Sequence, residues 1–158
     1  MTSPIIQFYH LVTLPLEVAL PSLVKKIWDG GLKLCITVAP EHYDALDKAL
    51  WEQGGAVFLP HCASDDARSA LHPIVLAQQP TAVNDAEILV ITNGLEYQPS
   101  MPAFTKVLTM FDGQQPELLQ RARALWKHYQ GQGYGLVYFQ QQEEGGWKKM
   151  HEVQGESL

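Results

Sequence analysis

Two hydrophobic patterns alternate along the chain. Short runs that are apolar almost throughout are typical of strands buried on both faces, and segments with an apolar residue at every third or fourth position are typical of helices. The apolar runs predict strands at residues 5–11, 32–39, 56–60, 73–77, 87–93, 106–111 and 136–141. The helical pattern covers residues 15–29, 40–53 and 116–130. This order predicts an α/β fold with three layers and a mainly parallel sheet.

Proline and glycine residues suggest where the elements begin and end. A proline stands at the start of each predicted helix, where it removes no helical hydrogen bond. Pro21 lies further inside the first helix and predicts a kink or a delayed start. Residues 61–71 are a polar connection, and residues 151–158 are expected to form a flexible tail. We therefore expect one α/β domain over residues 1–150.

The composition fits one domain of a reduced protein. Of the 158 residues, 46% are hydrophobic, which is enough for a complete core. The net charge of -6 opposes direct binding to phosphate backbones, so nucleic-acid binding would need a local basic patch, and only residues 121–127 and 148–149 offer one. Cys35 and Cys62 fit neither a disulfide framework nor a zinc spacing. Because no cationic leader and no apolar stretch of about 18 residues is present, a cytosolic protein is expected.

Residue patterns for catalysis and cofactor binding are weak. The first strand-to-helix loop, residues 11–17, lacks the glycines and the lysine of nucleotide-binding loops, and no GxSxG turn is present. The densest group of metal-ligand types lies in and directly after the polar connection and comprises His61, Cys62, Asp65, Asp66 and His72. Such loop side chains are more often solvated than bound to zinc. We expect no cofactor, although an α/β enzyme or nucleotide binder with an unrecognised phosphate loop remains an alternative.

The third predicted helix carries the most informative surface. At about 100° per residue, one stripe is apolar and comprises Leu118, Ala122, Leu125 and Tyr129. On its flank Leu119, Arg123 and Trp126 cluster. A guanidinium beside an aromatic wall can hold a carboxylate and an apolar side chain together, which suits a peptide terminus. An ordinary solvated helix face is the alternative, but we interpret the chain as a docking module.

Four short segments resemble one protein family in their order and spacing. They are LDKALW at residues 46–51, FLPH at 58–61, RARALWKHYQGQGY at 121–134 and GGWKK at 145–149. In these segments the chain resembles the chi subunit of the bacterial DNA polymerase III holoenzyme, an accessory protein of the clamp loader. Its first predicted strand, IIQFYHL, is also similar to the opening strand of that family.

The resemblance implies a cytoplasmic replication adaptor with a nucleotide-binding-like fold that holds no nucleotide and catalyses no reaction. One implied partner is the psi subunit of the clamp loader. The other is the acidic C-terminal tail of the single-stranded-DNA-binding protein, which ends in a phenylalanine-bearing carboxyl terminus. On this resemblance Arg123 meets the terminal carboxylate and Trp126 lines the pocket for the ring, with Lys127 beside them. Leu119 stands where some members have a lysine, and Arg121 helps only if the tail crosses the helix.

The resemblance also implies a psi-facing surface near Trp51 and Phe58, with a helicase as a further possible partner. Nucleic acid is contacted only indirectly in this interpretation. A direct single-stranded-DNA binder is the remaining alternative, because cationic side chains can follow a phosphate backbone. Its phosphate track would comprise Arg121, Arg123, Lys127, Lys148 and Lys149.

Overall fold

The described part of the structure combines strands with three helices, as the sequence predicts. The computed structural model describes residues 4–52, 62–63, 74–78, 86–92, 95–97, 104–143 and 146–154. The helices within these residues are α1 (Leu16–Asp29), α2 (Pro40–Glu52) and α3 (Pro116–Gly131). The strands are β1 (Ile5–Leu11), β2 (Leu34–Thr37), β3 (Cys62–Ala63), β4 (Ile74–Ala77), β5 (Ile88–Thr92), β6 (Lys106–Asp112), β7 (Gly135–Gln141) and β8 (Trp147–Val153).

The described strands form one sheet in the order β3-β4-β2-β5-β6-β1-β7-β8. Neighbouring strands run parallel except for β7 and β8, which are antiparallel. The core residues of α1 and α2 cluster with one face of the sheet, and those of α3 cluster with the other. The prediction of a three-layer α/β domain with a mainly parallel sheet is therefore confirmed.

The central strands contribute side chains to both cores. In β2, Leu34 and Ile36 pack on the side of α1 and α2, whereas Cys35 packs on the side of α3. Because both faces are covered by helices, all four residues of β2 are buried. This double coverage explains why the strands read as continuous apolar runs and not as alternating ones.

The helix ends follow local backbone chemistry. α1 begins at Leu16 directly after the extended Pro15, so the delayed start considered for Pro21 is wrong. Pro21 is buried inside the helix, where packing offsets the backbone hydrogen bond that a proline cannot make. Gly31 follows α1 with φ of 81° and Gly133 follows α3 with φ of 87°, a conformation that favours glycine.

One expectation about the middle of the chain is also wrong. β3 lies inside the residues 61–71 that the sequence suggests as a polar connection. It has two residues, which pair with Val75 and Leu76 of β4, and a strand that short leaves no hydrophobic period to detect. The predicted strand over residues 56–60 lies outside the described residues.

The predicted tail begins too early, because His151, Glu152 and Val153 belong to β8. β8 is an edge strand, and its residues are exposed except for Trp147 and Val153, which are partly buried. Its sequence has no apolar alternation, because neither of its faces is buried along its length. Antiparallel pairing with β7 holds the strand in place, together with Trp147, whose ring meets Tyr9 edge-on at 5.1 Å between centroids.

Two further observations concern the described residues alone. None of their helices combines the length and the apolar character needed to cross a membrane. They also contain no group of three or more His, Cys, Asp or Glu residues positioned to hold a metal ion. The candidate zinc residues between positions 61 and 72 lie outside the described part of the chain, apart from the backbone of Cys62.

Candidate functional site

A cleft of about 440 Å³ lies between α3 and the part of the sheet formed by β1, β7 and β8. Its volume is within the range of roughly 300–1,000 Å³ that ligand pockets occupy. Its lining combines cationic, aromatic and aliphatic side chains. They are His10, Leu119, Arg123, Trp126, Lys127, Tyr138, Gln140, Met150 and His151.

One flank of α3 forms the first wall of the cleft. The buried stripe of Ala122, Leu125 and Tyr129 fixes the helix against the sheet. Helical geometry then turns the residues at steps of three and four beside that stripe toward β7 and β8. These wall residues are Leu119, Arg123, Trp126 and Lys127. The structure therefore brings together four of the five residues that the sequence suggests for tail binding, and Arg121 is not among the lining residues.

Aromatic contacts hold Trp126 in a defined orientation. Its ring meets Phe8 edge-on at 5.3 Å between centroids and Tyr138 edge-on at 5.7 Å. Edge-to-face pairs at these separations are favourable because the positive edge of one ring meets the negative face of the other. Trp126 remains only partly buried, so part of its indole is available to a ligand.

His10 forms the floor of the cleft next to Tyr138. Its Nδ1 atom lies 2.9 Å from the Tyr138 hydroxyl oxygen, and its ring stacks on Phe111 at 5.1 Å between centroids. Gly113 packs closely on the other side, since an added Cβ atom there would overlap the imidazole and lie 2.7 Å from the Leu11 carbonyl oxygen. Gly113, which directly follows β6, thus makes room for the histidine.

The pKa values indicate which groups carry charge. Burial lowers the pKa of His10 and the positive charge of Arg123 lowers it further, while Asp112 acts in the opposite direction. Burial raises the pKa of Tyr138, against the effect of Arg123. His10 is therefore neutral at pH 7, and its Nδ1 atom shares a hydrogen bond with the Tyr138 hydroxyl in which the tautomer sets the donor. The fixed positive charges of the cleft are those of Arg123 and Lys127.

These two charges have no acidic counterpart in the described structure. Among the described residues, no carboxylate lines the cleft and none forms an ion pair with Arg123 or Lys127. Arg121 differs, because its Nη2 atom lies 3.5 Å from Glu96 Oε1 and it is not a lining residue. An exposed guanidinium beside an aromatic wall can hold an anion that carries an apolar group.

The remaining predicted site residues are not brought to this cleft by the described structure. The backbone of Trp51 belongs to α2, but its side chain lies outside the described part of the chain, as does the whole of Phe58. The sequence also misses the contribution of the strands, which supply His10, Tyr138, Gln140, Met150 and His151. His10 could have been found from the sequence, because alternation along the first strand places it on the same face as Ile6 and Phe8.

A second group of hydrogen-bond donors, of a kind that could bind an anion, lies on the opposite face of the sheet at the same end of β7. The side-chain oxygen of the buried Gln141 accepts hydrogen bonds from the backbone N–H groups of Val12 at 3.1 Å, Thr13 at 3.0 Å and Leu14 at 3.0 Å. It also accepts one from the Thr13 hydroxyl at 3.2 Å. Nucleotide-binding α/β folds hold phosphate with such donors ahead of the first helix. Here the donors are satisfied by the chain itself.

The architecture is that of a three-layer α/β protein with a nucleotide-binding-like fold and no nucleotide motif. The family described as DNA polymerase III chi subunit, HolC, matches residues 3–137, and the chain belongs to this family. A protein of Pseudomonas aeruginosa strain PAO1 named DNA polymerase III subunit chi is 30% identical over 115 residues, which cover 72% of this chain and 78% of that protein. The chain therefore has a role in DNA replication as a component of polymerase III.

Proposed function

We propose that this chain is a non-catalytic replication adaptor that joins the clamp loader, through psi, to the acidic C-terminal tail of the single-stranded-DNA-binding protein. The observation that carries the proposal is the cleft, where the cations of Arg123 and Lys127 border an apolar and aromatic wall. The ligand is a peptide terminus, because a terminus presents a carboxylate and a side chain on the same residue.

The terminal carboxylate is assigned to Arg123, with Lys127 beside it. A guanidinium donates two parallel hydrogen bonds to a carboxylate, and such charge-assisted bonds are stronger than neutral ones. The neutral His10 adds no charge at pH 7, so the carboxylate depends on these two side chains. Acidic residues before the terminus gain from the same positive potential, and the binding weakens as salt screens it.

The aromatic wall has to supply much of the affinity. An exposed ion pair contributes about 0–1 kcal/mol, whereas micromolar binding corresponds to about 8 kcal/mol. Trp126, Tyr138 and Leu119 line the same cleft as Arg123, so they offer apolar surface to a terminal phenylalanine ring whose carboxylate meets the guanidinium. Burial of an aromatic side chain is a large source of binding energy. The proposal therefore requires both the carboxylate and the ring.

The Gln141 contacts support the non-catalytic part of the proposal. An enzyme or binder of nucleotides needs free donors for phosphate, and the loop before α1 gives its three N–H groups to Gln141. A phosphate could enter only by displacing a buried side chain that makes four hydrogen bonds. The α/β enzyme alternative is therefore the weaker one.

By resemblance to the family, we assign the psi-facing surface to the region around Trp51 and Phe58, which serve as its anchors. Both are large and apolar, as interface anchors commonly are. Their individual alanine variants are expected to weaken association with psi while leaving peptide binding in the cleft unchanged, because the proposal assigns the two partners to different surfaces. Co-purification of psi with each variant, alongside a peptide titration, separates the two surfaces.

Fluorescence anisotropy tests the tail-binding site directly. A labelled peptide with an acidic body and a free Pro-Phe carboxyl end is titrated with the protein at two salt concentrations, and the same peptide with an amidated end is the matched control. We expect saturable, salt-sensitive binding of the free peptide and roughly 10- to 100-fold weaker binding of the amide, since a hydrogen bond to a charged group contributes about 1.5–3 kcal/mol. Equal binding of the two peptides, or no binding by the folded protein, would overturn the proposed site.

A further inference from the structure

An irregularity in β8 gives the cleft its second wall. In the β7–β8 register, Tyr138 pairs with His151 and Phe139 pairs with Lys149, which leaves Met150 as the extra residue between them. Successive residues of a regular strand face opposite sides, but Met150 and His151 both line the cleft. The bulge therefore turns Met150 toward the same side as His151.

Met150 is unusual because it is a large apolar side chain that stays exposed at the edge of this cleft. It is 42% exposed, and the other large exposed hydrophobic residues in the described part of the chain are Ile5 and Leu14, neither of which lines the cleft. Met150, Trp126 and Tyr138 thus line one cleft, which the side chains of the described residues leave open. A flexible thioether adapts to the edge or face of an aromatic ring and is attracted to it.

We infer that Met150 is the residue of the β8 bulge that closes on the ligand's terminal aromatic side chain and selects it over smaller ones. This inference rests on the proposed tail binding and adds a specificity residue to it. β8 lies beyond residues 3–137, the stretch that the family matches. The inference therefore assigns part of the ring pocket to a residue outside the stretch 3–137, directly after the GGWKK segment.

Two proteins and two peptides test this assignment in a four-way cycle. Wild type and Met150→Ala are each titrated with acidic peptides ending in phenylalanine or in alanine, both with a free carboxyl group, and the weaker binder is measured by competition. We expect Met150→Ala to weaken binding of the phenylalanine peptide about two- to tenfold, the range of a sulfur–aromatic contact, and to leave the alanine peptide unchanged. Ile5→Ala is the matched control, because Ile5 is 44% exposed and is not a cleft residue.

The methyl NMR signal of Met150 gives an independent readout. A ring packed on the thioether shifts that signal upfield, so the phenylalanine peptide should move it while a peptide ending in cyclohexylalanine moves it much less. Binding that is carboxylate-dependent but leaves both the Met150→Ala affinity and the methyl shift unchanged would overturn the role of Met150 and leave the tail site standing. Absence of any peptide binding to wild type would overturn both.

Discussion

Gln140 and Gln141 are neighbours at the end of β7, but their side chains occupy very different environments. The Gln141 side chain points toward the loop before α1, where it is 4% exposed and its oxygen accepts four hydrogen bonds. The Gln140 side chain points to the opposite face, where it is partly exposed and lines the cleft with Arg123. At the end of β7, Gln141 thus occupies the donors that could bind an anion before α1, whereas Gln140 borders the open cleft.

Under the proposed function, the ligand site of this α/β fold lies away from the loop before the first helix, although the topology is the same. Donors that already have a buried acceptor offer little to an incoming anion, because binding would first have to break their hydrogen bonds. Cations without an acidic neighbour offer their full charge. In this chain the loop used by nucleotide-binding relatives of the fold is closed, and the accessible positive charge lies on the flank of α3.

The largest expected effect separates the two arginines of α3. Arg123→Ala removes a lining cation and should weaken binding of the free-carboxyl tail peptide by roughly 10- to 100-fold, since a hydrogen bond to a charged group contributes about 1.5–3 kcal/mol. Arg121→Ala makes the same change of net charge two residues away, at a side chain that meets Glu96 outside the cleft. Its effect on affinity should stay within about threefold. Similar losses for both variants in anisotropy titrations would mean that the helix attracts the peptide only by its general charge.

A comparable effect on stability separates the two glutamines. Gln141→Leu leaves the N–H groups of residues 12–14 without their acceptor and should lower the free energy of unfolding by about 1–3 kcal/mol. Gln140→Leu changes a partly exposed side chain and should stay within about 0.5 kcal/mol. Urea denaturation followed by circular dichroism measures both. If Gln141→Leu were as stable as wild type, the loop would not depend on this side chain.

A smaller effect distinguishes the two neighbouring lysines of β8. Lys148 pairs with Gln140, a cleft residue, whereas Lys149 pairs with Phe139 and its Nζ atom lies 3.5 Å from Glu152. Lys148→Ala should weaken binding of the acidic peptide by up to about fivefold at low salt, as an exposed charge pair contributes about 0–1 kcal/mol. Lys149→Ala has the same net charge and should have less effect. Equal effects of the two variants in titrations at two salt concentrations would indicate a long-range field and no local contact.

The smallest effect concerns pH and His10. Because the pKa of His10 is lowered in the folded protein, the unfolded chain, with an ordinary pKa of about 6.5, binds that proton more readily. The stabilising contribution is therefore present above about pH 6.5 and is lost as the pH falls through the lower folded value. We expect the free energy of unfolding to decrease from about pH 7 to pH 5, and His10→Gln to reduce this dependence. Parallel urea titrations of both proteins check it, and identical slopes would contradict it.

The helical part of the cleft could be predicted from the sequence because a helix converts spacing directly into a surface. Leu119, Arg123 and Trp126 share a flank in any α-helix, and a packed stripe at Ala122 and Leu125 leaves that flank at the edge of the contact with the sheet. The α/β class was predictable for a similar reason, since a helical period follows the apolar runs at residues 5–11, 32–39 and 106–111.

The strand part of the cleft could not be predicted in the same way. His10 and Tyr138 meet because β1 pairs with β7, and that pairing joins residues from opposite ends of the sequence. Strand order depends on the packing of the whole sheet and has no local signature. β8 was missed because its residues are mostly exposed and polar, so apolar and polar side chains do not alternate along it. The bulge at Met150 further interrupts the alternation of side chains between the two faces of the sheet.

The central position of β1 has a consequence for the growing chain. β1 is synthesised before every other element described here, but its hydrogen-bonding neighbours are β6 and β7, near the other end of the sequence. Closing such long loops slows folding, because chain entropy is lost before any contact forms. The first strand must therefore wait, unpaired, until the ribosome has released most of the polypeptide. A truncated translation product ending before β7 would contain α3 but no cleft, so the proposed peptide binding requires a chain whose synthesis has passed β7.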